Sequence, residues 1–449
     1  MRLRLQRILF AIRSNFWFIP ALLALAAVLV AVFIVELDSR LLRSSLGRFS
    51  PSDGMPIESV RVVLSTIAGS MITVAALVFS MTLVALTMVS QQFGPRLLLR
   101  FMDDRPTQFV LGLFLATFIY ALIVLVRVGQ WSSDYQVSGL AVLIAAALAV
   151  VSMGAVIHFI HHVATRIQAD VLIAELGDEL RNAARLAVEA EQAQAAFRDA
   201  DERQSARHLF EGEGGRRIAL DRSGYVNYFD TAAALATAHE AGLVVRFKVR
   251  RGEFVLAGAP VMTVVASSGC GSGAIELDDE TIEALRGTVS AARRRTPEAS
   301  MEFEINALVE VALRALSPGI NDPHTAMTCI DWLADGMVVL MELQGGPNVV
   351  RDEDEVVRVI FDSGSFEHFM ATAFHPIRHA ASGKVEVLVR LGRVLGELYS
   401  VARGRDEKAV IQRHIDAVRE ESERLDISQI DAASVESAIG PATRSSRRS

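Results

Sequence analysis

The chain alternates between long uncharged runs and short polar stretches. The longest run, Val60 to Ser90, carries no charge after Arg61, and the next charge is Arg96. That is enough helix to cross a bilayer. Phe16 to Val35, Thr107 to Val126 and Val137 to Ile160 are three further apolar runs of spanning length. Phe16, Trp17 and Phe18 open the first run, and Trp131 and Tyr135 sit just before the last, where aromatics favour the headgroup layer. The first run is longer than a signal-peptide core and no A-x-A-like site closes it, so it is expected to remain as a span. Residues 1–162 are thus expected to form a four-span transmembrane domain.

The Val60–Ser90 run is not uniformly greasy. Thr66, Thr73, Ser80 and Thr87 recur every seven residues, with Ser70 between the first two and Gly69 beside it. On a helix these positions share one slowly drifting stripe. Lipid offers hydroxyls no partner, so the stripe should meet another helix or water. It either packs helices, with hydroxyls bonded to carbonyls one turn earlier, or lines a polar pathway formed by several copies.

After the spans, Val163 to about Arg207 is rich in Ala, Glu and Arg and has no proline. It reads as one long helix continuing the fourth span (163–210), with an apolar stripe of Val171, Leu172, Leu176, Leu180, Ala184 and Ala187. Gly212 to Gly215 breaks it. Period-two patterning follows in YVNYF, LVVRFKV, GEFVLAG and PVMTVVA, which predicts a small β module over 211–275. Between the first two strands, Asp230 caps a short helix that Gly242 stops. Residues 276–430 are expected to be helical, with GGPNVVRDEDE as a polar loop, and 431–449 to be a disordered tail. Within SPGINDPH, Pro318 and Gly319 end one helix, Asn321 or Asp322 caps the next, and Pro323 takes its first position. That chemistry accounts for the residues as a structural turn.

Charge then sets orientation. The first 15 residues carry Arg2, Arg4, Arg7 and Arg13, the 91–106 link carries three arginines, and the 128–136 turn none. The 36–59 connector also carries three, which blunts the contrast. The bias still places the N-terminus and everything after Ile160 in the cytoplasm. A net charge of −7 argues against a nucleic-acid partner. The two cysteines, Cys270 and Cys329, form neither a disulfide framework nor a C-x-x-C pair.

Candidate chemistry is sparse. His158, His161 and His162 fall at i, i+3 and i+4 at the end of the fourth run. They suit pH sensing or a transition metal, or plain interfacial packing; the closest acid in sequence is Asp170. FHPIRH places His375 and His379 on one helix face. No hydrolase, phosphate-loop or dinucleotide motif occurs, so neither catalysis nor a cofactor is expected.

Two resemblances add to this. VRRGEFVLAGAPVMTVV resembles the half-repeat of barrel-sandwich hybrid folds, through Gly252, Val255, Gly258 and Pro260. The carriers of that fold hold biotin or lipoate on a hairpin-tip lysine; Lys248 falls inside a strand pattern, so no such group is expected. LSTIAGSMITVAALVFSMTLVALTMVSQQFGPRLL, HFIHHVATRIQ and ALRALSPGINDPHTA resemble the bacterial membrane proteins grouped as domain of unknown function 2254. That resemblance implies four N-terminal spans and a cytoplasmic C-terminal region in a bacterial inner membrane. The fold class expected is therefore membrane α-helical, with four transmembrane helices and a cytoplasmic α+β region holding a small barrel-sandwich-like module. The function expected is an oligomeric ion pathway or transport component regulated by the cytoplasmic domains. Its partners would be the lipid bilayer, copies of itself and a small ion or ligand. The alternative is a non-conducting sensor or scaffold that binds a ligand or partner through the β module.

Overall fold

A computed structural model of the protein describes residues 17–43, 57–94, 104–129, 139–166, 168–195, 215–267, 276–295, 301–343, 347–362, 364–425 and 427–440. The chain divides into two compact units, Met1–Val171 and Leu172–Ser449.

The N-terminal unit contains α1 (Phe18–Arg43), α2 (Ile57–Phe93), α3 (Arg105–Gly129) and α4 (Gly139–Arg166). All four are long and apolar enough to cross a membrane. α1 continues through Glu36 to Arg43, where a polar connector was expected. α2 covers about 55 Å at 1.5 Å per residue, well past the ~30 Å hydrocarbon layer. α3 packs against α1, α2 and α4. Its apolar stretch is 44% buried, against 17–22% for the others, so it is the centre of the bundle.

Side-chain size explains that packing. Lipid tails are as apolar as leucine, so helices associate through close van der Waals fit rather than water exclusion. Ala27 and Ala31 of α1, Ala68 of α2, Ala116 and Ala121 of α3, and Ala141 and Ala145 of α4 supply the thin faces. A Cβ on Gly112 would lie 2.8 Å from Leu23 Cδ1 and 2.9 Å from the Pro20 Cα; only glycine lets α1 approach α3 there. Buried Tyr120 donates its hydroxyl to the Ala141 carbonyl at 3.2 Å.

The expected single long helix is interrupted. α4 stops at Arg166 and α5 (Ala169–Ala195) begins three residues later; residues 196–214 lie outside those described. Leu176, Leu180 and Ala184 are buried as the stripe requires, together with Ile173 and Val188, whereas Val171 is exposed and Leu172 and Ala187 are half-buried.

The sheets come from dispersed segments. β1 (Arg216–Ala219), β5 (Pro260–Ala266), β3 (Leu243–Phe247), β8 (Val357–Phe361) and β7 (Asn348–Arg351) form one sheet in that order. β4 (Phe254–Val255), β2 (Gly224–Phe229) and β6 (Val289–Ala292) form the second. α6 (Thr231–Glu240) links β2 to β3 with Asp230 accepting from the Ala233 N–H, and α7 (Asp279–Gly287) precedes β6. Phe229 and Phe247 stack at 4.6 Å in the shared core.

Three expectations change here. Three strands lie beyond residue 275, so the sheets are not confined to 211–275. The likeness to a barrel-sandwich does not extend to the sheets: β4 and β5 lie in different sheets, and β3 pairs in parallel with β8, matching Val245 to Val359. The stretch GGPNVVRDEDE is not simply a loop. Its valines form β7, and Asp352 Oδ1 builds the turn to β8 by accepting from the Asp354 and Val356 N–H groups at 3.0 and 2.9 Å. Lys248 sits one residue past β3, exposed.

Six helices complete this unit: α8 (Met301–Ala315), α9 (Pro323–Leu340), α10 (Phe366–Ala380), α11 (Val385–Val401), α12 (Arg405–Arg424) and α13 (Gln429–Ile439). α13 falls mostly in the expected disordered tail. Buried Val435 and Ile439 hold it on α11, where Gly396 leaves a groove so tight that a Cβ would lie 2.6 Å from the Ile439 carbonyl. Residues 441–449 are outside those described.

α5 and α9 interlock. A Cβ on Gly177 would meet the Trp332 ring, and one on Gly336 would meet the Leu180 side chain, in both cases well inside contact distance. Arg181 pairs with Asp335 alongside, Nε to Oδ2 at 2.6 Å. Gly177→Val is therefore expected to destabilise this unit by about 1–3 kcal/mol, and Trp332→Ala in the same chain to relieve part of the strain. Thermal unfolding of the detergent-solubilised protein measures both.

A second expectation concerns pH. His414 is buried between Phe374 and His375, whose ring lies 4.8 Å away. Burial, with His375, Arg378 and Arg413 nearby, pushes its pKa down to about 4. The unfolded chain then binds more protons than the folded one below about pH 6.5, so stability falls as pH drops from there towards 4. The loss is on the order of 3 kcal/mol. Melting the protein across pH 7.5 to 4.5 should show this, and His414→Gln should flatten the acid limb.

Candidate functional site

The most tightly built polar cluster of the N-terminal unit sits where α3 begins. Asp104 precedes the helix, and its carboxylate accepts from the Thr107 N–H at 3.2 Å and from the Thr107 hydroxyl. This is N-cap chemistry, which satisfies donors that a helix start leaves free. His162 of α4 then places Nε2 at 3.1 and 3.0 Å from the two Asp104 oxygens. The Asp104 side chain is 2% exposed and that of His162 18%. An imidazole N–H facing an almost waterless carboxylate makes a short polar link between α3 and α4, and low-dielectric surroundings strengthen that hydrogen bond.

Of the three histidines, His162 meets the carboxylate. His158 stacks on His162 with centroids 6.0 Å apart and is itself exposed. His161 is exposed and its carbonyl accepts from the Thr165 hydroxyl at 2.8 Å. Asp104 is a carboxylate remote in sequence that the histidine spacing does not reveal. Further polar groups lie buried within the bundle: Gln108, Thr117 and Ser152. Thr117 bonds the Leu113 carbonyl at 2.8 Å and meets the Ser152 hydroxyl at 3.0 Å across the α3–α4 interface. Sequence reading missed all four. The Asp-x-x-Thr spacing at 104–107 was the available signal for a cap; nothing local ties it to a histidine 58 positions on.

The α2 stripe points elsewhere. Thr66, Ser70, Thr73, Ser80 and Thr87 are all exposed on the single chain. Thr66, Thr73 and Thr87 donate to the carbonyls of Val62, Gly69 and Val84 at 2.7, 2.9 and 2.7 Å. The face of α2 that is buried instead carries Leu64, Ala68, Met71, Val78, Thr82 and Ala85. A Cβ on Gly69 would meet nothing within 4 Å.

In the C-terminal unit, Asp322 caps α9 by accepting from the Thr325 N–H at 3.2 Å and its hydroxyl at 2.6 Å, with Pro323 next and Asn321 at φ 51°. Pro318 and Gly319 lie in the turn before it, and His324 is exposed. His239, Asp352 and Asp354 bring three possible metal ligands together. Asp352 is already committed, however. Its Oδ2 lies 2.9 Å from His239 Nδ1 and accepts from Arg358 Nε at 2.6 Å, while Oδ1 holds the β7–β8 turn. The guanidinium occupies the place a cation would take, so the group is a structural staple.

Four membrane-length helices, two of them joined by a carboxylate–imidazole pair, with an α+β unit after them, are the marks of a membrane protein. A family model described as predicted membrane protein, DUF2254, matches residues 13–397. The chain belongs to that family. Uncharacterized proteins of Mycobacterium bovis and Mycobacterium tuberculosis are each 29% identical to it over 387 residues, covering 85% of this chain and 72% of theirs. No solved structure matches the chain.

Substitution separates the two roles of Asp104. Asp104→Asn keeps an acceptor for the cap and loses the charge facing His162; Asp104→Ala loses both. The expected order of melting temperature is wild type, then Asn, then Ala. A missing cap costs about 1 kcal/mol and a lost charged hydrogen bond about 1.5–3 kcal/mol. Equal melting for the two variants would mean that the cap contributes nothing.

Proposed function

We propose that this protein is a subunit of a homo-oligomeric ion pathway in a bacterial inner membrane, with both termini cytoplasmic and with Asp104–His162 as its titrating element. The observation that carries the reading is the pair itself. Asp104 and His162, both largely buried, lie at one end of the candidate spans Arg105–Val128 and Leu140–Thr165, and an ionisable pair buried at the end of a bundle suits the mouth of an ion path. Gln108, Thr117 and Ser152 extend polar character inside the same bundle. The exposed hydroxyl face of α2, with Gly69 open beside it, supports assembly of copies, since small residues favour close helix approach in lipid. A change in the charge carried by the pair would then set the open fraction.

A second reading has an observation of its own. Thr66, Thr73 and Thr87 already spend their hydroxyls on their own helix, so the α2 face is able to pack dry, as in a non-conducting scaffold. Flux into proteoliposomes, measured beside oligomer size, separates the two. On the pathway reading, wild type conducts, the current changes between pH 5 and 8, and Asp104→Asn or His162→Gln removes that change. Thr73→Val with Ser80→Ala lowers flux by raising a dewetting barrier and leaves the oligomer intact. Wild-type liposomes silent at every pH and voltage, with oligomers lost when Ser80 is enlarged to Leu, would leave the scaffold standing.

A further inference from the structure

The C-terminal unit has a cleft of about 460 Å³ that none of the roles above uses. It is lined by Lys248, Arg250, Glu253 and Phe254 of the β3–β4 connection, Arg295 just past β6, Glu302 of α8, Asp362 after β8, and His368 of α10. Its size is that of a small-metabolite site.

By formal charge the lining is balanced, three cations against three carboxylates, so the partners decide what it recognises. Asp362 is held by Arg250, with Nε at 2.8 Å and a second guanidinium nitrogen at 2.7 Å, and its other oxygen accepts from the Gly364 N–H at 2.9 Å. Glu302 lies 2.6 Å from His368 Nε2. Glu253 accepts from the Arg250 N–H at 2.9 Å. Every carboxylate is thus engaged, which leaves little for a cationic ligand to take.

Arg295 differs. Its guanidinium lies over the Tyr225 ring at 4.9 Å, and Tyr225 in turn meets Phe254 edge-on at 5.0 Å. Its Nε is shut off from solvent and has no hydrogen-bond partner. Nε itself is closed to a ligand, but Arg295 lines the cleft, so its fixed positive charge lies beside any oxyanion placed there. Arginine is the side chain that matches carboxylate and phosphate with its planar fork, and Lys248 adds positive charge on the same cleft. Half-exposed Phe254 offers an apolar surface for the body of the ligand.

From this arrangement we infer that the cleft binds a small organic oxyanion, a phosphate or carboxylate carried on a planar body. Arg295 takes the anion and the Phe254–Tyr225 wall takes the body. The elements lining the cleft come from the connection between β3 and β4 and from the first turns of α8 and α10. Occupancy therefore ties the sheet to the helices and raises the stability of the whole unit.

Calorimetric titration and thermal melting of the full-length protein in detergent test this with four probes: adenosine monophosphate, adenosine, benzoate and inorganic phosphate. Adenosine monophosphate or benzoate is expected to bind and raise the melting temperature, and adenosine is not. Arg295→Gln is expected to weaken binding on the order of 10- to 100-fold, as loss of a charged hydrogen bond does. Phe254→Ala tests the wall separately and should weaken the organic anions while leaving inorganic phosphate unchanged. Preference for the nucleotide assigns a phosphoryl ligand, and preference for benzoate a carboxylate. No binding by any probe, equal binding of adenosine, inorganic phosphate matching both organic anions, or Arg295→Gln binding like wild type would each overturn the inference. Melting of Arg295→Gln without ligand shows that the variant is folded.

Discussion

A bilayer gives a polar group nothing to bond to, and the bundle around α3 is arranged under that constraint. Several of the hydroxyls the helices carry are turned onto a partner within the chain. Thr117 reaches the Leu113 carbonyl and Ser152, Tyr120 the Ala141 carbonyl, and Thr82 the Val78 carbonyl at 2.8 Å. Asp104 follows the same rule with more at stake. It lends one group to two tasks, ending the backbone of α3 and receiving His162. The first task would be met as well by a serine or asparagine, so the demand for a full charge comes from the second.

The C-terminal unit obeys a different rule, because water is available to its surface. Charged groups pair across segments far apart in sequence: Arg181 with Asp335, Arg250 with Asp362, Arg378 with Glu421. These pairs are partly to largely buried, so the cost of taking the charges out of water offsets much of their attraction. What they select is register, since each joins an element to one partner at one height. The glycine contacts at Gly177, Gly336 and Gly396 do the same through shape.

Much of this architecture was legible in the amino-acid order. Uncharged runs of spanning length mark α1 to α4 because lipid tolerates little else, and period two marks β2 to β5. The Asp230 and Asp322 caps follow from the same local chemistry that makes aspartate a helix starter. What was hidden depends on distance. β7 and β8 are short and flank an acidic turn, so composition argues for a loop, and only pairing with β3 reveals strands. α13 has little apolar periodicity of its own and is helical because two glycines on α11 leave room for it. The Asp104–His162 pair joins positions that no local pattern connects. The α2 hydroxyls show the converse limit. Periodicity correctly groups them on one side of the helix, but which side a neighbour covers is set by Ala68, Met71 and Val78.

The parallel pairing of β3 with β8 has a consequence for how the protein is made. β3 ends at Phe247 and β8 begins at Val357, so the centre of the five-stranded sheet waits for more than a hundred residues of further synthesis. At translation speeds of about 5–20 residues per second, that is a delay of many seconds. Once β5 is made, β3 has a partner on one side and a bare, largely apolar edge on the other until β8 follows, the kind of edge that recruits foreign strands. A chain released before β8 emerges would keep that edge permanently. Biogenesis of this membrane protein therefore has an aggregation-prone interval after the candidate spans have been made, in the unit that holds no helix long and apolar enough to span a membrane among the described residues.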